Sequence, residues 1–398
     1  ASRRCRWRGD GCPHRRKRPR PRHPGLEALT AGSEGGYQPM SETPYVELGL
    51  AAIREALKDA GLEWSMVESS YVGTAKLGMA SGRAMLKHLG TTGTPLVHVE
   101  NASATGSSAF RQACMEVAAG FSDVVLAVGV DKPYPVQYAN KMTGIRDLAS
   151  YAIVPFTHFA LLANEYMQKY RVTPEHVAQV AVKNHRNGSK NPYAHRQKER
   201  TLEEVLSDAP VSGYLTRLQC CPVGEGAAAV IVASEEAIRR YGIDPNRVIR
   251  VTASVSRSER VYRPGADHDT ELTRETTAAA LQEAGLSIED IDIIELHDAF
   301  SIEELMYVEA MGLCREGEAV HWLMEGALDI GGRVAVSPSG GLIAMGHPIG
   351  PTGLGQVAEA TRQLRHEAGE RQQPDAKNAL VHMVGLGAVC LVHILQRP

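Results

Sequence analysis

The sequence predicts an α/β protein made of two copies of one β-α-β arrangement, packed about a pseudo-twofold axis as two mixed sheets. Three observations carry this prediction. Leu48, Ala52, Ile53, Ala56, Leu57 and Ala60 recur at helical spacing and close on Gly61, the residue type that most readily ends a helix in the left-handed conformation. The pattern then returns: Thr277–Ala284 with Gly285-Leu286 matches Ile53–Ala60 with Gly61-Leu62, and each AlaGlyLeu triplet leads into an acidic stretch and a strand. Finally, short apolar runs alternate with helical patterns in both halves, the mark of β-α-β units. A repeat of roughly two hundred residues is a duplicated domain, far longer than a solenoid period. The length agrees, since 398 residues exceed what one hydrophobic core usually serves.

Taken in order, the first half reads as a helix ending at Ala60, a strand at Ser70–Gly73 and a buried strand at Leu96–Val99. A turn of small residues follows, then a helix from about Ser107 to Ala119 and an apolar strand at Asp123–Gly129. An insert over roughly 132–220 is rich in Tyr, His, Asn and Pro, with a helix around His158–Tyr170 and the segment LysAsnHisArgAsnGly at 183–188. So long a polar excursion over a duplicated core is expected to cover a ligand site. The second half reads as a strand at Arg333–Val336, a Gly-rich turn, a helix from about Thr352 to His366, and strands at Ala379–His382 and Ala388–Leu395. The expected boundaries are a leader at 1–40, a first half at 41–245 with its insert, and a second half at 246–398.

The net charge of −3 hides an asymmetry. Residues 1–23 hold ten Lys/Arg and one acid, which leaves 33 basic and 45 acidic side chains in the remainder. A body this acidic does not suit a polyanion-binding surface, and 5% aromatic residues leave few stacking platforms for nucleic acid. No apolar run is long enough for a bilayer, and the start lacks the apolar stretch of a secretory signal. The basic leader has three readings: a nuclear or nucleic-acid tag, an organellar presequence, or a stretch with no selected function. Its lack of periodicity favours a disordered extension, of the kind an upstream start or shifted frame would add, with Met40 as a candidate start. The seven cysteines are scattered, and neither Cys5 and Cys12 nor the adjacent Cys220-Cys221 has metal-ligand spacing. Reduced thiols in a cytoplasmic protein, with no metal and no bound cofactor, are therefore expected.

Three segments could carry chemistry. In GluAsnAlaSerAlaThrGlySerSerAla (100–109), Ser103 stands just before a helix, whose free N–H groups and dipole suit an oxyanion; a plain N-cap reads equally well on the segment alone. In HisAspAlaPheSer (297–301), His297 follows the apolar strand IleIleGluLeu, at the end where α/β folds place ligands; alone, it fits a structural histidine as well as a catalytic one. In SerProSerGlyGlyLeuIleAlaMetGlyHisProIleGlyProThrGly (337–353), Gly and Pro crowd His347 onto an irregular turn. That presentation suits a general base or an oxyanion donor more than packing.

With these segments in place, the chain from about Tyr45 to its end resembles the thiolase superfamily, and within it the sterol-carrier-protein type of thiolase. The resemblance rests on the HisAspAlaPheSer and GlyGlyLeuIleAlaMetGlyHisPro boxes, on GlyLeuGly (385–387), and on LysAsnHisArgAsnGly and CysCysProValGlyGluGlyAlaAlaAla (220–229) in and after the insert. It implies a five-layer α-β-α-β-α fold, acyl-CoA as substrate, and a homodimer or tetramer that pairs strands near Asp123–Gly129. It also implies a first strand, which is read as missing, its place taken by the leader. By the same resemblance Ser103 stands where a cysteine attacks acyl-CoA, His347 activates it, and His297 holds a water in one oxyanion hole. Backbone N–H groups near Ser103 and Gly385 form a second. A further cysteine that moves a proton at the second substrate would stand at Ala299 or Met383, and Cys390 matches neither place. A serine gains less than a thiol from a helix dipole and needs a positioned base throughout.

Three functions compete. The leading one is C-acyl transfer or thiolysis on acyl-CoA with Ser103 as nucleophile. The second is a carbon–carbon lyase, or retro-aldolase, on a CoA thioester with a small zinc-ribbon/OB-fold partner. The third is a non-catalytic acyl-CoA or lipid-binding subunit.

Overall fold

The computed structural model describes residues 26–30, 41–132, 155–263, 265–385 and 389–398. Most of the basic leader, the segment 133–154 and Leu386 and Gly387 of the GlyLeuGly motif lie outside these.

In the first half the strands are β1 (Leu26–Thr30), β2 (Ser69–Gly73), β3 (Leu96–Val99) and β4 (Val124–Asp131), with helices α1 (Tyr45–Ala60), α2 (Ser81–Leu86) and α3 (Thr105–Ala118). The insert supplies α4 (Pro155–Tyr170), α5 (Pro174–Ser189), α6 (Leu202–Ser207) and the small hairpin β5 (Pro210–Ser212) and β6 (Leu215–Thr216). Strand β7 (Gly226–Ala233) returns to the first half and α7 (Glu235–Tyr241) follows it. The second half holds β8 (Ile249–Ser258), α8 (His268–Ala284), β9 (Ile293–Glu295), α9 (Ser301–Ala310), α10 (Ala319–Met324), β10 (Ala335–Val336), α11 (Gly341–Met345), α12 (Thr352–Leu364), β11 (Asn378–Gly385) and β12 (Val389–Gln396).

The duplication is visible in the pairing. The first half runs β3-β2-β4-β7-β1 and the second β10-β9-β11-β12-β8. Each has a parallel trio followed by two antiparallel strands. Helices α1 and α8 correspond, and both end on a glycine near φ +67, Gly61 at +66 and Gly285 at +68. The two sheets are not separate, however. Strand β1 pairs antiparallel with both β7 and β8, so all ten strands share one hydrogen-bonded seam.

That seam corrects the reading of the leader. Leu26–Thr30 occupies the first-strand position that the sequence seemed to lack. The short segment carries no periodic signal of its own, and its strand state comes from the two unpaired edges that β7 and β8 present to it. Deletion of the leader therefore removes a strand. A second correction concerns β3, which was read as buried: it is the sheet edge, with Val97 half exposed. Conversely β4, the expected dimer strand, is buried along its whole length between β2 and β7 and has no free edge to offer.

Layering follows from strand alternation. Val124, Leu126 and Val128 of β4 pack with α1 on one face, while Val125 and Ala127 face Phe110 and Ala113 of α3 on the other. Helix α12 joins α3 in that central layer through Leu354, Val357 and Ala360, and β11 closes it with Ala379 and Val381. The outer face of the second sheet packs on α8 through Leu272, Ala280 and Leu281, together with the insert. The order is thus α-β-α-β-α.

The two central helices cross at their N-termini, and a ThrGly pair opens each. A Cβ at Gly106 would stand 2.7 Å from the Gly350 carbonyl oxygen, and one at Gly353 would stand 2.6 Å from the Ser107 nitrogen. Only glycine permits that approach, and it brings the residues just before each helix face to face.

Candidate active site

Ser103 lies two residues before α3 and His347 five residues before α12. Across the crossing, Ser103 Oγ is 2.9 Å from His347 Nε2. The other ring nitrogen, Nδ1, is 2.9 Å from Thr352 Oγ1. Thr352 spends its own proton on the Pro348 carbonyl, at 2.5 Å, so toward the imidazole its oxygen accepts. That assigns the tautomer: Nδ1 carries the proton, and the Nε2 lone pair accepts from the Ser103 hydroxyl. Burial, then the neighbouring His297 and Lys76, hold the His347 pKa well below 6.5. The ring is therefore a neutral base.

The Ser103 turn is tied locally. Asn101 N donates to Thr105 Oγ1 at 2.8 Å, Thr105 Oγ1 to the Ala102 carbonyl at 2.6 Å, and Ala102 N to Glu100 Oε1 at 2.8 Å. These bonds hold Ala102 at φ +48, a left-handed conformation that a Cβ disfavours, and the bend presents Ser103 to the second half. Gly385 abuts this turn: a Cβ there would lie 2.7 Å from the Asn101 carbonyl oxygen and 3.2 Å from Ala104 Cβ.

The His347 loop is held from a distance. Asn187 and Asn191 of the insert donate to the Ser337 and Ser339 carbonyls at 3.2 and 2.9 Å. Arg196 bonds the Ile343 carbonyl at 3.0 Å, and the His195 and Arg196 amides bond Met345 and Ala344. From beneath, Asp298 accepts from Leu342 N at 2.7 Å and from Asn184 Nδ2 at 2.6 Å. Glu295 accepts from the amide and hydroxyl of Ser339, and its carboxyl is pushed up to about 8, chiefly by burial. Asp131 at the end of β4 fastens Gly350 N at 2.6 Å and Lys76 N at 2.8 Å together, which joins the two halves beside the site. LysAsnHisArgAsnGly is thus a clamp on the histidine loop.

His297 completes the group, its ring 5.4 Å from that of His347 and nearly perpendicular to it. Its Nδ1 lies 2.7 Å from Glu303 Oε1, and Glu303 also accepts from Phe300 N and Tyr307 Oη. The other nitrogen, Nε2, is buried without a partner. All three residues line one cleft of about 1050 Å³, at the upper end of small-molecule sites. Phe159 of α4 and Phe300 stack at 4.8 Å in its wall. Of the two places expected for a further cysteine, Ala299 lines the cleft, while Met383 is buried beside Ala104, Val389 and Leu391. Sequence reasoning missed Thr352, Glu303, Asp131 and Asn191, and gave Asn184 and Asn187 of LysAsnHisArgAsnGly no role of their own. Thr352 and Glu303 follow their histidines by five and six positions and could have been sought there; the others carry no local signal.

Fold and site together define a class, a duplicated α/β enzyme with a cleft at the N-termini of its two central helices. The thiolase N-terminal domain model matches residues 30–202 and the thiolase C-terminal domain-like model residues 255–397, so the chain belongs to the thiolase family of acyl-CoA acyltransferases. It is 38% identical to sterol carrier protein 2 of Gallus gallus, covering 87% of this chain and 67% of that protein. It is also 38% identical to the benzoylsuccinyl-CoA thiolase subunit BbsB of Thauera aromatica, covering 87% and 91%. Acetyl-CoA acetyltransferase of Methanothermobacter thermautotrophicus is 35% identical over 90% of this chain and 98% of its own. Among solved structures the Ltp2-ChsH2(DUF35) aldolase superposes with TM-score 0.81 at 25% identity, covering 94% and 98%. Human mitochondrial 3-ketoacyl-CoA thiolase superposes with TM-score 0.72 at 19% identity, covering 94% and 99%, a likeness of fold alone. No described helix is long and apolar enough to cross a membrane.

Proposed function

We propose that this chain transfers or thiolyses acyl groups of CoA thioesters through an ester on Ser103. The Ser103–His347–Thr352 relay carries the reading. A neutral imidazole with its lone pair on the hydroxyl takes the proton as Oγ attacks the carbonyl, which a serine requires and a thiol needs less. The amides of Ser103 and Gly385 are the oxyanion donors in this reading, and His297 Nε2 holds the second carbonyl through a water. A burst of free CoA on mixing with acyl-CoA, with the acyl mass on the intact protein mapped to Ser103, is the expected result. No mass gain during turnover would end it.

A second reading is favoured by the likeness to the Ltp2-ChsH2(DUF35) aldolase: carbon–carbon cleavage of a CoA thioester with no acyl-enzyme, dependent on a small zinc-ribbon/OB-fold partner. Activity that appears only with such a partner, while Ser103→Ala leaves turnover unchanged, would establish it. In either case a homodimer is expected to pair the free β3 edges, and light scattering that returns one chain mass would remove that expectation.

A further inference from the structure

A reaction that makes or breaks a carbon–carbon bond beside a thioester needs a group that gives a proton to the α-carbon or takes one from it. Ala299 cannot do so, and Met383 lies outside the cleft lining. The structure offers a sulfur elsewhere. Cys220 and Phe300 form an antiparallel bridge, and Cys221 N donates to the Ala299 carbonyl at 2.8 Å. Cys221 therefore stands opposite Ala299 beside this isolated bridge. Opposed residues share one face, with Cβ atoms about 4.5–5.5 Å apart, and both residues line the cleft with Ser103, His297 and His347. Alternation sends Cys220 the other way, where its Sγ donates to the Thr216 carbonyl at 3.3 Å. Independently, His297, only 6% exposed, leaves Nε2 unpartnered in the cleft that Cys221 and Ala299 also line.

We infer that Cys221 is the acid/base residue of this site, a thiol moved across the bridge from position 299 to the segment that faces it. The inference rests on the Ser103 reading for bond cleavage, though not for exchange of the α-proton. In cleavage of a 3-ketoacyl-CoA, Ser103 Oγ forms a bond to the keto carbon and its proton passes to His347 Nε2. The bond between the α- and β-carbons breaks, its electron pair goes to the thioester enolate, and Cys221 S–H gives its proton to the α-carbon. Incoming CoA thiol then attacks the Ser103 ester. Its proton returns to the Cys221 sulfur, the Oγ–acyl bond breaks, and Oγ recovers its proton from His347. Burial raises the Cys221 thiol above its ordinary pKa, so the thiol is the resting donor for cleavage, and the small thiolate fraction is a correspondingly strong base for the α-proton in exchange.

The test is deuterium uptake at the α-carbon of acetyl-CoA in heavy water, read by mass spectrometry. The wild-type protein is expected to exchange, and Cys221→Ala to lose at least roughly 100-fold, the scale of a general acid–base contribution. Adding Ala299→Cys to Cys221→Ala should restore a tenth or more of the rate, which also shows that the variant folds. No exchange by the wild type, wild-type exchange by Cys221→Ala, or a loss that Ala299→Cys does not rescue would each overturn the inference. If Asp269→Asn, in the same cleft wall, abolishes exchange while Cys221→Ala does not, the acid/base group is the carboxyl. Failure of the Ser103 reading looks different: exchange persists in the wild type while no acyl mass appears on the protein.

Discussion

Ser103 and His347 meet from opposite halves at the tips of two corresponding helices, yet their supports differ in kind. The bonds that shape the Ser103 turn join residues 100–108, with Asn101 Nδ2 reaching only as far as Ser108 Oγ. The His347 loop is held by Asn187, Asn191 and Arg196 of the insert, about 150 positions away, and by carboxylates from β4 and from the segment after β9. One side of the site folds from its own sequence. The other takes its shape only when the insert docks.

The largest expected effects fall on the local side, where chemistry and scaffold are the same few atoms. Ser103→Ala should abolish acyl-enzyme formation, while Ser103→Cys should retain or raise it, because the helix dipole and His347 stabilise a thiolate directly. Intact mass after incubation with acyl-CoA reads both, and an unchanged burst in Ser103→Ala would mean that the turn is only scaffold.

On the remote side the relay comes first. Thr352→Val removes the acceptor that fixes the His347 tautomer, so the rate of Ser103 acylation should fall roughly 100-fold with the fold intact. A wild-type rate would mean that something else orients the ring. Further out, Asn191→Ala leaves the buried Ser339 carbonyl without its side-chain donor. It should cost about 1–3 kcal/mol in urea denaturation and slow acylation by a smaller factor than Thr352→Val. Slower acylation at unchanged stability would contradict the clamp.

Ala102→Gly tests the local side for strain. Relief of a left-handed alanine should stabilise the protein by up to about 1 kcal/mol and loosen Ser103, so stability and acylation rate should move in opposite directions. The smallest effect concerns pH. An ordinary imidazole protonates as pH falls through 6.5, which would halve a base-dependent rate there. The His347 pKa lies well below that value, so the base form persists and the acylation rate should stay flat from pH 8 to pH 6. A decline centred near 6.5 would show that the ring is solvated in the working enzyme.

How much was legible follows the same division. Helix α1, strands β2, β3 and β4, and helices α3 and α12 could be placed within a few residues because apolar periodicity writes each into its own segment. Ser103, His297 and His347 could be singled out because small-residue turns and Gly/Pro crowding are local signals. Strands β7 and β8 went unread, the first hidden in an alanine-rich run and the second passed over although Ile249, Val251, Ala253 and Val255 alternate with polar residues. By itself, the sequence determined the duplication, the layer types and the three residues that converge. Only the tertiary structure decided that Leu26–Thr30 closes the seam between the halves, that β3 is an edge of the described sheet, and that Cys221 stands opposite Ala299. Pairing across a sheet depends on which backbone edges are left unfilled, and that is a property of the assembled fold that no single segment carries.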